Sequence, residues 1–193
     1  MAHENDAFIF VVSSGEWTTQ TVKNVHVPRH AVEFLDVVDD EDRVVGSASY
    51  DDVYAKKFSH RIVHIFLHNS KGELALQLRS TRKSFCPLHW STCVGGHVQA
   101  GETYEQAALR ECHEELGVRL PIVPLRHDQY VDGRGIKKFL TTFKADHDGP
   151  FSPNPDEVER VAFFSVHDIK RMIASGEKFH PELLFLLRRQ YGF

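Results

Sequence analysis

GHVQAGETYEQAALRECHEELGV, residues 96 to 118, is the stretch that decides how this chain is read. Within it Gly96, Glu102, Arg110, Glu111, Glu114, Glu115 and Gly117 fall at the spacing G-x5-E-x7-R-E-U-x-E-E-x-G-U, with Cys112 and Val118 in the apolar U positions. Seven fixed identities at set spacing arise by chance at on the order of 10^-8 per starting point for ordinary residue usage. From Thr103 to Leu116 the chain is rich in Glu, Ala, Leu and Arg, all good helix formers, and Gly117 is placed to stop the helix. Glu111, Glu114 and Glu115 stand at i, i+3 and i+4, so they share one helix face, away from a packing stripe of Leu109, Cys112 and Leu116. Three carboxylates so close repel one another, and a cation should offset that. Oxygen ligands without thiol or paired imidazole suit a hard divalent ion, Mg²⁺ or Mn²⁺. Gly95 and Gly96 allow a tight loop where backbone approaches that ion.

Outward from this segment, the chain has the size and composition of one soluble globular domain: 193 residues, 41% hydrophobic and 26% charged. A net charge of −4 argues against nucleic-acid binding by electrostatics. Cys86, Cys93 and Cys112 show no CxxC spacing and read as reduced thiols of a cytoplasmic protein. Ala7–Val12 is too short an apolar run for a signal peptide and follows acidic residues, and no stretch approaches a membrane span.

Residues 1–32 read as an N-terminal extension with a strand at Phe8–Val12, and 33–193 as a single domain with C-terminal helices. Three hairpins are expected: Glu33–Val38 with Arg43–Ser47, Arg61–His68 with Glu73–Arg79 across Asn69–Gly72, and Ile122–Val131 with Ile136–Ala145. Trp90–Val94 is expected as one strand leading into the glycines, and Arg160–Val166 as the last strand. Helices follow from Ser165 to about Ala174 and over His180–Tyr191. Antiparallel hairpins with helices after strands indicate an α+β fold. The segment Phe185–Tyr191 offers a surface for a homodimer contact.

On the motif of residues 96–118 the chain resembles the Nudix family, with every position of the family's defining box filled. The resemblance implies the Nudix fold, a mixed β-sheet sandwiched between helices. It implies that Glu111, Glu114, Glu115 and the Gly96 carbonyl hold the metal, and that Glu102 and Arg110 form a bracing salt bridge. It also implies a further carboxylate, as ligand or catalytic base, from Asp156-Glu-Val-Glu159, with Glu157 preferred over Glu159. A small-molecule diphosphate is the implied substrate, hydrolysed by water attack on phosphorus with Glu111 or Glu157 as base.

The order ELALQLRSTRKSFCPLHWSTCVGGHVQ, residues 73–99, is similar to the isopentenyl-diphosphate isomerase branch of that family. On this resemblance Arg79 and Lys83 match residues that hold the diphosphate, with Arg82 in the same basic cluster. The branch's proton-transferring Cys falls at Gly95, however, and its strand Glu falls at Lys138. Cys93 lies two residues away, on the same face if the strand is continuous. Of the branch's metal histidines, His97 and His60 match retained ones, and the partner expected near Val53 is missing. Glycine has no group to titrate, so hydrolysis is the expected activity. Isomerase-type chemistry and a non-catalytic nucleotide sensor are the alternatives. Phe85, Trp90 and Tyr130 are candidates to stack a base.

Overall fold

A computed structural model of the chain describes the backbone of residues 6–13 and 16–23, and residues 33–193 in full. The chain divides into two units, Met1–Glu33 and Phe34–Phe193. In the first, β1 (Asp6–Ser13) and β2 (Glu16–Lys23) form an antiparallel hairpin; β1 covers the expected strand, and the more polar β2 was not anticipated.

The second unit opens with the expected hairpin, β3 (Phe34–Val38) and β4 (Val44–Ser49). A helix not anticipated from the sequence follows, α1 (Tyr50–Lys56). The Ser49 hydroxyl caps it by accepting from Asp52 N–H, and Lys57 ends it in the left-handed conformation. The remaining strands are β5 (His60–His68), β6 (Leu74–Arg79), β7 (Trp90–Thr92), β8 (Val94–His97), β9 (Val123–Val131), β10 (Lys137–Asp146) and β11 (Val158–Phe164). Their sheet runs β11-β6-β5-β10-β9, with β7 on β6 and β8 on β5. The β5–β10 pair is parallel and the others antiparallel, giving a mixed sheet.

Two expectations need correction here. The turn Asn69–Gly72 forms, yet β5 and β6 pair only at His68 and Leu74 before they part. The segment after Trp90 fills the gap between them. It is therefore two strands: β7 bonds to β6, the chain breaks at Cys93, and β8 bonds to β5.

Alternate residues of β5 serve two cores, as strand geometry requires. Val63, Ile65 and Leu67 pack beneath α2 (Tyr104–Leu116) with Ala107, Ala108, Cys112 and Leu116. Ile62 and Phe66 pack on the other face beneath α3 (Val166–Ala174) and α4 (Pro181–Tyr191), with Ile169, Leu183, Leu186 and Leu187. The architecture is thus α+β, a mixed sheet between helices, as expected. No helix among the described residues is long and apolar enough to cross a membrane.

Candidate active site

The helix α2 carries most of the site. Thr103 and Gln106 form a capping box at its start, and Gly117 closes it at φ 69° with its N–H bonded to His113 O. Its buried face differs from the expected stripe. Leu109 is exposed, whereas Ala108 and Glu115 are buried. The three carboxylates therefore do not share one solvent face. The Glu115 side chain turns under the sheet, Glu111 is mostly covered, and only Glu114 is open to solvent.

Partners from other strands explain this. Glu115 accepts from Gly95 N–H at 3.0 Å and from Gln77 Nε2 at 3.2 Å. Burial, and then the charge of Glu111, push its carboxyl up to about 8 despite those bonds. Glu111 lies against Gly96 so closely that a Cβ there would fall 2.1 Å from its carboxyl carbon. This contact is what requires glycine at residue 96.

Arg110 organises the remainder. Its Nε and Nη2 donate to the two oxygens of Glu102 at 2.8 and 2.9 Å, and Nη2 also donates to His97 O at 2.9 Å. Its Nη1 reaches Glu111 at 2.8 Å and Glu114 at 3.2 Å. Glu102 further accepts from Gln99 N–H. Burial raises the Glu102 carboxyl, but the bonds from Arg110 and Gln99 outweigh it and hold the group below its ordinary value.

Among the described residues, no three His, Cys, Asp or Glu side chains form a group that could hold a metal as they stand. Arg110 accounts for part of this, since its guanidinium holds Glu111 and Glu114. The donor set nevertheless fits a hard divalent ion. It is all oxygen, and two of its carboxylates face each other in a buried space where a cation would relieve their repulsion.

The basic cluster lies on the loop after β6. Arg79 donates through Nε and Nη2 to Phe85 O at 3.3 and 3.1 Å. Arg82 pairs with Asp156, and Lys83 pairs with Glu157. The expected phosphate ligand Lys83 and the expected base Glu157 are thus held together. Glu159 is exposed beside the register shift between Val158 and Arg160.

The positions that separate hydrolase from isomerase are also resolved. Cys93, at the break between β7 and β8, points into the core beneath α2 and donates to Ile65 O. It does not share a face with Gly95, contrary to the continuous-strand expectation. A Cβ on Gly95 would meet His64 Nδ1 at 2.9 Å and Thr92 Oγ1 at 3.0 Å, on the other side of the sheet. Lys138 is buried and bonded to Glu182 at 2.7 Å, and Glu182 also lies 3.3 Å from His64 Nε2. His60 and His97 stack at 5.5 Å, with His97 Nε2 2.7 Å from the Tyr54 hydroxyl. Val53 is buried in α1. Of the stacking candidates, Trp90 is likewise buried, its Nε1 donating to Glu177, Tyr130 is half-buried with its ring 5.1 Å from that of Phe185, and Phe85 is exposed. Tyr54, His64, Arg134 and Glu182 were not singled out from the sequence. Tyr54, His64 and Glu182 have their polar partners far along the chain, whereas Arg134 pairs with Asp132 inside its own turn.

Comparison with known proteins follows this geometry. Residues 58–187 match the NUDIX domain model. A Nudix hydrolase of Deinococcus radiodurans is 33% identical over 82% of this chain and 94% of its own length. An uncharacterized Nudix hydrolase of Streptomyces coelicolor is 36% identical over 76% of this chain and 82% of its own. The crystal structure of DR0079 from Deinococcus radiodurans superposes with a TM-score of 0.74 at 34% identity, covering 82% of this chain and 99% of that one.

Proposed function

We propose, from the premise that this chain belongs to the NUDIX domain family, that it is a Mg²⁺-dependent hydrolase cleaving a diphosphate linkage in a nucleotide or another small phosphorylated metabolite. Nudix hydrolases generally use divalent metal ions. The observation that carries the reading is Glu115: a buried carboxylate pinned by Gly95 N–H and Gln77 while facing a second carboxylate, Glu111. Arg110 already pairs with Glu111, and a further cation would lower the cost of charging the buried Glu115. Glu111, Glu114, Glu115 and the Gly96 carbonyl are the groups that would hold the ion. When bound, it neutralises phosphoryl charge and makes water a better nucleophile.

The chain's own residues do the rest. Arg79, Arg82 and Lys83 bind phosphate oxygens. When a phosphate takes Lys83, Glu157 loses its partner and becomes available as base. Water then attacks phosphorus, the anhydride P–O bond breaks, and the proton passes to Glu157 or Glu111. Arg110, braced by Glu102, keeps α2 and the glycine loop in register. The isomerase reading is not favoured, because the space a side chain at residue 95 needs is filled by His64 and Thr92, and Lys138 is committed to Glu182.

The test is phosphate release with and without Mg²⁺, over nucleoside di- and triphosphates, nucleotide sugars, dinucleoside polyphosphates and isopentenyl diphosphate, with Glu114→Gln as control. Metal-dependent turnover that the substitution abolishes is expected. Unchanged turnover of Glu114→Gln at saturating Mg²⁺ overturns the metal assignment. Tight binding without turnover converts the reading to a sensor.

A further inference from the structure

Gln77 stands at an inward position of β6 that packing alone would fill with an apolar side chain. On the same side of the sheet β5 presents Val63, Ile65 and Leu67, and β6 presents Ala75, all in the core beneath α2. Gln77 is 1% exposed. Burying an amide is costly unless its polar atoms are paired. Here one of the two is. Nε2 donates to Glu115 Oε1 at 3.2 Å, and Oε1 has no hydrogen-bond partner among the described residues. The two amide atoms are about 2.2 Å apart, so the unpaired oxygen lies within about 5.5 Å of that carboxylate oxygen. The amide is turned as a neighbouring cation demands: it gives N–H to the carboxylate and keeps its oxygen free. Reversed, it would set oxygen against oxygen and leave a donor, which no cation can use. The bond to Glu115 accounts for Nε2. An unpaired buried oxygen such as Oε1 points to an ordered water, an ion or a catalytic role.

We propose that Gln77 belongs to the ion site: its amide nitrogen sets the orientation of Glu115, and its amide oxygen is a further, neutral donor to the ion. The inference rests on the metal-dependent hydrolase reading and adds to its ion-binding group a residue from outside α2 and the glycine loop. Hard divalent ions take amide carbonyl oxygens alongside carboxylates. Carboxylates are already crowded here. Glu111 and Glu157 both act on the charge of buried Glu115, and Glu114 shares Arg110 with Glu111. Another carboxylate would add repulsion, whereas an amide oxygen adds a ligand without charge.

The strand gives this side chain a fixed origin. Gln77 is paired with Ser91 of β7 on one side and with Val161 of β11 on the other. A ligand carried on a strand held from both sides is placed more precisely than one on a loop.

The experiment is a titration of the full-length protein with Mn²⁺, free Mn²⁺ being read by electron paramagnetic resonance. Wild type, Gln77→Leu and Gln77→Glu are compared, with folding checked by circular dichroism. Leucine removes both amide atoms, while glutamate keeps an oxygen and loses the N–H donor. Gln77→Leu is expected to weaken Mn²⁺ binding on the order of 10- to 100-fold in Kd. Gln77→Glu is expected to bind Mn²⁺ at least as tightly as wild type, because an oxygen is still offered to the ion. Its Tm without metal is expected to fall, since a further buried carboxylate then faces no cation. If Gln77→Leu does not fold, Gln77→Met, flexible and of similar length, takes its place. Wild-type affinity in Gln77→Leu overturns the proposal and leaves the ion site standing. Binding by Gln77→Glu as weak as by Gln77→Leu overturns the ligand role, leaving Gln77 as a donor to Glu115 alone. A wild-type protein that binds no Mn²⁺ overturns the ion site itself and the role of Gln77 with it.

Discussion

Gly96→Ala separates catalysis from folding at the centre of the site. The added methyl would lie 2.1 Å from both Cδ and Oε1 of Glu111, and 2.6 Å from Oε2. Ordinary contact needs about 3.5 Å or more, so the carboxylate must retreat by more than about 1 Å. Gly96 does not occupy the left-handed region, so alanine adds no backbone strain there. What moves is the far end of a flexible side chain, and its contact with Arg110 at 2.8 Å is the bond most exposed to loss. The stability cost is therefore about 1–2 kcal/mol, a drop of roughly 2–8 °C in Tm for a domain of this size. The catalytic cost is larger, because a misplacement of about 1 Å in a reacting group lowers kcat by on the order of 100-fold. The assay is Mg²⁺-dependent phosphate release from the best substrate of the panel, alongside a thermal melt of the same preparation. A folded variant with kcat within threefold of wild type would refute the reasoning, showing that the Glu111 carboxylate need not sit against residue 96.

Three further outcomes are expected. Glu115→Gln removes one of two facing buried carboxylates, so its Tm without metal should equal or exceed wild type, while the Tm gain on adding Mg²⁺ should disappear; a retained gain places the ion elsewhere. Lys138→Met leaves Glu182 buried without its cation and should cost about 3–5 kcal/mol in urea unfolding, most of it recovered by Lys138→Met with Glu182→Leu. Acid should also weaken the fold through His60 and His180, both pushed down to about 4, chiefly by burial. Between pH 6.5 and 4 the unfolded chain takes up these two protons and the folded chain does not. Stability is therefore fully present above 6.5 and falls as pH drops toward 4, by about 3 kcal/mol for each histidine. A urea midpoint that is flat across this window would disprove it.

The parts legible in the sequence were those whose causes are local. The helix α2 announces itself through Thr103 at its cap, Gly117 at its end and the good helix formers between them. The strand pairs β3–β4 and β9–β10 follow from turn residues at fixed offsets. The parts that were not legible depend on partners far along the chain. Helical periodicity alone set Glu115 beside Glu111 and Glu114 on an open face; it is buried because Gly95 and Gln77, 20 and 38 residues earlier, supply its hydrogen bonds. In the sequence Lys138 stands only where the isomerase branch has its strand Glu; its partner Glu182, 44 residues further on, was not anticipated. The helix α1 spans only 7 residues, too few for a periodic pattern to emerge.

Gly95 shows how the two faces of the sheet depend on each other. Its N–H supports Glu115 on the side of α2, while the space where a side chain would stand is taken by His64 and Thr92 on the side of α4. His64 is in turn 3.3 Å from Glu182, the partner of Lys138. A continuous set of contacts thus runs from Lys138 to the carboxylate expected to hold the ion. Glycine at residue 95 is demanded from both directions: a larger residue would displace His64 or move the N–H that fixes Glu115. A single backbone amide therefore couples Glu115 to the polar face beneath α4. Changes beneath α4 that shift His64 should register first in how firmly Glu115 is held.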